Sequence, residues 1–298
     1  MNDTKPTSSS LLKTLLLTCL ALLAFAANSV FCRLALGSDS IDATSFTVIR
    51  LLSGAIVLTL LLVLKGQHKA PSHGGSWKGA SMLFLYAGCF SFAYRFLDTG
   101  TGALILFGSV QLTMLGLALL AGNRFNRFEW LGICSALGGF IYLFLPSATT
   151  PSLQGFVLMA IAGIAWGVYT LLGRESKTPL ADTCHNFVRS LPFCVLLGIV
   201  FIGQSDLSSH GIVLAMLSGG LASGIGYSIW YTALRGLSSS SAAVLQLLVP
   251  VIAAIGGVIF VGEELTLSLA VSATLILGGV ALVIAGRTLL KTATDKSP

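Results

Sequence analysis

Residues 238–266 read SSSSAAVLQLLVPVIAAIGGVIFVGEELT, and this stretch decides the fold. Serines lead into a long apolar run broken only by Gln246 and Pro250, which stops at Gly262-Glu263-Glu264. A helix needs about 20 apolar residues to cross a hydrocarbon core of about 30 Å, and the run has that length. Pro250 lies near its middle, where a soluble helix would kink or break. In a membrane helix the freed carbonyl is tolerated where it faces protein or a water-filled cavity. The stretch therefore reads as a spanning helix, broken at Pro250, that lines something. Its pattern also recurs upstream. Gly262-Glu263-Glu264-Leu265-Thr266 aligns with Gly122-Asn123-Arg124-Phe125-Asn126, and Gly278-Gly279 with Gly138-Gly139.

The rest of the chain has the same character. Of 298 residues, 55% are hydrophobic and 9% charged, against roughly 25% charged in soluble domains. The mean hydropathy is +0.90. Continuous apolar runs, rather than short alternating segments, indicate an all-α polytopic membrane protein and not a barrel. The net charge of +6 does not call for nucleic acid, because the basic residues flank hydrophobic spans. Six cysteines without C-x-x-C spacing read as small buried hydrophobes, not as a disulfide framework or metal site. The N-terminal run could imitate a signal peptide, with Ala24-Phe25-Ala26 as its cleavage site. It continues past that site to Ala35, so it reads as the first span.

Ten spans are expected: 12–35, 44–64, 77–96, 100–121, 128–146, 154–173, 183–203, 211–234, 239–261 and 266–286. With the N-terminus in the cytoplasm, that side receives 14 of the 17 Lys and Arg residues, and Arg33, Arg50 and Arg95 fall on the other. This places both termini in the cytoplasm. Residues 11–146 and 154–287 form two halves of five spans, flanked by cytoplasmic tails 1–10 and 288–298. Arg33 matches Arg174, Arg50 matches Arg189, and spans 4–5 match 9–10. Five is odd, so the halves insert with opposite topology. Inverted repeats of this kind point to alternating access, with the solute held near the midplane.

These features resemble the drug/metabolite transporter superfamily, in particular its ten-helix EamA type. The resembling residues are Ala165-Trp166-Gly167 with Tyr169, Arg50 with Arg189, Tyr231 to Leu234, and the run from Ser238 to Gly279. The first half departs from the second: Val110 stands opposite Pro250, and Asn123-Arg124 opposite Glu263-Glu264. The resemblance implies a cavity lined by helices 1, 3, 4, 6, 8 and 9, and export of amino acids, aromatic ones included, or related metabolites. The superfamily's small four-helix multidrug members carry a glutamate in helix 1. Asn28 lies in helix 1 here, without an acid, which disfavours proton-coupled antiport by that route.

Candidate binding residues follow from helical spacing. Tyr227, Trp230 and Tyr231 share a face, as do Trp166 and Tyr169, Tyr86, Phe90 and Tyr94, and Phe107 and Gln111. Gln246 lies one turn before Pro250. The competing readings are an interfacial aromatic belt for Tyr94, Trp230 and Tyr231, and interhelical hydrogen bonding for Asn28, Gln111 and Gln246. Arg50, two turns into helix 2, needs a partner. Asp42 or Asp98 could supply it, or the arginine attracts a substrate carboxylate. Arg95 and Asp98 are grouped with it as charge or gating residues. All eleven acids fall in tails, loops or span ends, although Asp98, Glu263 and Glu264 are left as sites of protonation. Gly220 and Gly224 have the small-residue spacing of close helix packing.

No catalytic pair, metal cluster, P-loop or cofactor motif is recognisable, so the chain reads as no enzyme and uses no ATP. The expected partners are a small-molecule substrate and the lipid bilayer, without nucleic acid, in a monomer or weak dimer. Two alternatives stand beside amino-acid export from the inner membrane: a proton-coupled drug or toxic-compound exporter, and a non-transporting receptor or scaffold.

Overall fold

A computed structural model describes residues 8–66, 75–122, 125–143, 151–173, 176–201, 207–237 and 239–294. Ten helices run in order: α1 Ser8–Leu36, α2 Ala43–Leu64, α3 Trp77–Ala93, α4 Thr99–Leu120, α5 Arg127–Leu143, α6 Leu153–Gly173, α7 Pro179–Val200, α8 Ser209–Leu234, α9 Ser239 to Val261 and α10 Leu267–Thr294. Eight are long and apolar enough to cross a membrane, while α3 and α5 have 17 residues each. Among the described residues the one β-type contact is the isolated bridge between Ile41 and Leu207. Leucines such as Leu16, Leu20 and Leu60 point outward, as expected where the solvent is lipid.

Short polar side chains start the helices. Asp42 accepts from the Ser45 amide at 2.9 Å, Ser76 from Gly79 at 2.9 Å and Ser208 from Gly211 at 3.0 Å. At α5, Asn126 Oδ1 accepts from the Glu129 amide (3.0 Å) while Glu129 Oε2 accepts from the Asn126 amide (2.8 Å), a reciprocal capping box. Thr266, the repeat counterpart of Asn126, caps α10 through the Leu269 amide at 3.1 Å. Gly122 and Gly262 occupy the left-handed region, with φ of +88° and +76°. They end α4 and α9 where a side chain would be strained.

Most packing joins one half to the other: α5 with α10, α3 with α6 and α7, α4 with α6 and α9, α2 with α7 and α8, α1 with α8 and α9. Exchanging each helix for the one five places on returns the same set of pairs. That invariance is the signature of a two-fold relation between inverted halves, with α2–α7, α4–α9 and α5–α10 on the axis. Small residues allow the closest crossings: Gly132 and Gly139 of α5 meet Gly279 and Ile276 of α10.

Several expectations need correction. Helix 7 begins at Pro179, four residues early, because proline suits the first helical turn. Helix 8 carries a π-helical segment, Leu217–Ile225, between α-helical ends. There the Ser223 hydroxyl donates to the Ser218 carbonyl at 2.9 Å, and Gly220 and Gly224 lie against Val57 of α2. The break in helix 9 falls at Leu247, between Ser239–Gln246 and Leu248–Gly256, and not at Pro250 itself. Proline lacks the N–H that would bond the Gln246 carbonyl four residues back, so the interruption appears one turn upstream. Helix α4 is continuous past Val110. Cys19 and Cys134 are exposed, unlike buried Cys32, Cys184 and Cys194, and all six cysteines are free. Asn123, Arg124, Arg174, Ser238 and residues 1–7 and 295–298 of the tails lie outside the described residues, and α10 runs into the expected C-terminal tail as far as Thr294.

Candidate functional site: a central aromatic cavity and the polar contacts at its ends

Helices α1, α3, α4, α6, α8 and α9 border a narrow central cavity between them. Asn28, Tyr86, Phe90, Phe107, Trp166, Tyr227 and Gln246 line it, joined by Phe25, Ser29, Leu106, Ala222 and Ser223. Trp166 is the centre of the aromatic wall. Its ring stacks on Tyr169 at 5.3 Å and tilts against Tyr86 at 4.8 Å and Tyr227 at 5.2 Å. Offset and tilted pairs at such distances are favourable beyond the area they bury. Phe25 sets its edge against Tyr227 and Trp230, at 5.8 and 5.7 Å. No sequence spacing singled out Phe25, because its partners sit on another helix.

The remaining expected residues lie behind this wall. Trp230 packs on Phe25, while Tyr231 turns to α7, where its hydroxyl accepts from Thr183 at 3.4 Å. Tyr94 is fully buried; it stands edge-on to Phe90 at 4.8 Å and donates to the Thr99 carbonyl at 3.3 Å. An interfacial belt is therefore the wrong reading of Tyr94 and Trp230. Tyr169 accepts from Asn186 Nδ2 at 3.5 Å, and Gln111 is buried one turn beyond Phe107.

The amide and basic residues form a connected cluster. Ser218 Oγ donates to Asn28 Oδ1 at 2.6 Å, and Asn28 Nδ2 donates to the Tyr86 hydroxyl at 3.4 Å. Arg50, 1% exposed, donates from Nη2 to the same hydroxyl at 3.0 Å. Its guanidinium carbon lies 5.1 Å from the Tyr86 ring centre and 4.8 Å from that of Phe90. Neither expected carboxylate pairs with it: Asp42 caps α2 and Asp98 pairs with Arg33. Arg95 is exposed at the turn after α3 and lines neither the cavity nor the Arg50 cluster. Arg189, the repeat counterpart of Arg50, lies over Trp77 at 5.9 Å. The halves share a backbone plan and differ in their polar interior.

Ten helices alternating in direction put Ser8 and Thr294 at one end of the bundle; the opposite end is called distal here. At the distal end Glu263 ties the halves together. It accepts from Arg33 Nε at 3.1 Å, from the Thr99 amide at 2.9 Å and from Thr99 Oγ1 at 3.0 Å. Arg33 also reaches Asp98 at 3.2 Å and the Tyr94 carbonyl at 3.2 Å. Glycine at 257 leaves room for the carboxylate, because a Cβ there would meet Glu263 Oε2. Sequence reasoning placed Glu263 at a span end as a site of protonation, used Arg33 for the charge distribution and the alignment of the halves, and did not pair the two. At the proximal end, Asp182 accepts from the Gly75 amide at 3.3 Å and Asn186 from the Ser76 amide at 2.9 Å. Among the described residues no three His, Cys, Asp or Glu side chains converge.

The sequence profile of the EamA-like transporter family matches residues 12–145 and again 153–285. The chain belongs to that family. It is a multi-pass membrane transporter of the drug/metabolite transporter superfamily, and the two matched stretches are its two repeats. An uncharacterized protein of Pseudomonas aeruginosa is 51% identical over 92% of this chain and 96% of its own length. The threonine/homoserine exporter RhtA of Escherichia coli is 28% identical over 51% of this chain and 52% of its own. A crystal structure of a protein, 20% identical, covers 94% of this chain and 99% of that one with a TM-score of 0.62, a likeness of fold. In this EamA-like transporter, then, the aromatic-lined cavity lies between the two repeats.

Proposed function

We propose that this chain is an inner-membrane exporter of small neutral or zwitterionic metabolites, amino acids foremost, that works by alternating access without ATP. Both termini face the cytoplasm and the distal end faces outward, in keeping with the Lys and Arg distribution. The observation that carries the reading is the cavity lining: rings of Tyr86, Phe90, Trp166 and Tyr227, amides of Asn28 and Gln246, and no carboxylate. Such walls suit solutes with an apolar body and a few hydrogen-bonding groups. The absence of an acid from the lining favours facilitated diffusion or exchange over proton coupling. The likeness to RhtA, half-length as it is, supports amino acids among the metabolites. The protein acts on its solute without chemistry, as a monomer or weak dimer in the bilayer.

The test is uptake of labelled amino acids, aromatic ones and threonine included, into proteoliposomes with and without a pH gradient. Saturable uptake that ignores the gradient and disappears in a folded Trp166→Ala, Gln246→Ala variant is the expected result. Uptake that requires the gradient would turn the reading toward proton-coupled export, and normal uptake by the variant would remove the cavity from the pathway.

A further inference from the structure

We propose that Arg50 and Tyr86 make one end of the central cavity an anion subsite, and that the carried solute presents a carboxylate to it. This rests on the reading that the cavity is the solute site, and it names the charge of what binds there.

The inference comes from counting donors and acceptors around one hydroxyl. The Tyr86 oxygen already accepts from Arg50 Nη2 and Asn28 Nδ2. Asn28 Oδ1 accepts from Ser218, and among the described residues no acceptor takes the phenolic hydrogen. Tyr86 is therefore left as a donor, on a residue that lines the cavity. Arg50 Nη1 is buried with no hydrogen-bond partner among the described residues. Tyr86 thus has a donor to spare toward the cavity, and Arg50 behind it a full positive charge without a counter-ion among the described residues. The faces of Tyr86 and Phe90 stabilise a guanidinium in part, far less than removing it from water costs. An uncompensated buried cation in a membrane helix is held for an interaction that the empty protein does not supply.

A carboxylate meets the requirement. It brings one negative charge toward one guanidinium, and oxygens that accept from the Tyr86 hydroxyl without donating. Phosphate, with more charge and more oxygens, would call for more donors than this edge offers. Arg50 stands behind Tyr86 and Phe90 and is absent from the cavity wall. It is a positioning residue: its hydrogen bond polarises the Tyr86 hydroxyl, which touches the solute. The rest of the solute lies along Trp166 and Tyr227. An amino acid would set its ammonium group against those rings.

The experiment uses purified full-length protein and two ligand pairs that differ only in the acid group: L-phenylalanine with L-phenylalaninamide, and 3-phenylpropionate with 3-phenylpropionamide. Binding is read from tryptophan fluorescence, since Trp166 lies in the cavity. Each acid is expected to bind about tenfold or more tighter than its amide, the range for a hydrogen bond to a charged group. Arg50→Gln and Tyr86→Phe should abolish that preference by weakening the acids far more than the amides, and Arg50→Lys should keep part of it. Tyr86→Phe preserves the ring, so it remains informative if Arg50→Gln does not fold. If 3-phenylpropionate binds and phenylalanine does not, the carboxylate subsite stands and the amino-acid reading falls. Amides that bind as well as acids, acids that do not bind, or variants that weaken acids and amides equally would each overturn the proposal.

Discussion

Replacing Glu263 by glutamine should loosen the distal end of the cavity. The carboxylate is 11% exposed and takes hydrogen bonds from Arg33 Nε at 3.1 Å, the Thr99 amide at 2.9 Å and Thr99 Oγ1 at 3.0 Å. Hydrogen bonds to a charged group are worth about 1.5–3 kcal/mol each. Glutamine keeps one accepting oxygen but turns the other position into a donor that confronts the Thr99 amide. It also strips Arg33 of its more buried partner, leaving Asp98, which is 63% exposed and so contributes little. A net loss of about 2–3 kcal/mol is expected, which is about a 30- to 150-fold shift toward a distal-open form. The assay places a cysteine at Ser29, a buried residue of the cavity wall, in a background with the six native cysteines replaced. A membrane-impermeant thiol reagent is then added to intact cells, which face the distal end in the proposed orientation. While the open form stays minor, the labelling rate rises in proportion to its population. An unchanged rate in a folded Glu263→Gln protein would refute the reasoning and make the network a static brace.

Four further outcomes can be checked. Gly139→Ala should lower the thermal midpoint in detergent, because a Cβ there meets Ile276 and Leu275 of α10, at 2.7 and 2.9 Å. Gly138→Ala meets nothing within 4 Å and should be neutral or stabilising by about 0.5–1 kcal/mol. Gly219→Ala should be worse than either, costing about 3 kcal/mol or more by overpacking, since its Cβ would collide with the Arg50 carbonyl and Ser53 Oγ. Pro250→Ala should restore the bond to the Gln246 carbonyl, a gain of about 1 kcal/mol. Straightening α9 should also pull Gln246 off the cavity wall, so uptake should fall as stability rises.

What the sequence alone determined is what depends on local composition and length. Apolar runs of spanning length must be helices in lipid, because no water is there to satisfy the backbone. Gly122 and Gly262, with Asn126 and Thr266 four residues on, were legible as aligned span ends, and the local turns and caps they form are set by those residues themselves. The repeat offset could be read for the same reason. Helical spacing also named most of the rings on the cavity wall, since 3.6-residue periodicity fixes which side chains share a face.

Tertiary structure decided what depends on another helix. Arg50 and Arg189 look equivalent in sequence, yet one is buried behind Tyr86 and Phe90 and the other lies over Trp77. Glu263 reads as an ordinary charge at a span end until Gly257 lets it reach Arg33 and Thr99. Tyr231 and Tyr227 sit four residues apart, but only the second meets the cavity. In each case the backbone offers two similar positions, and the neighbour across the interface determines which of them is polar, buried and available to a solute.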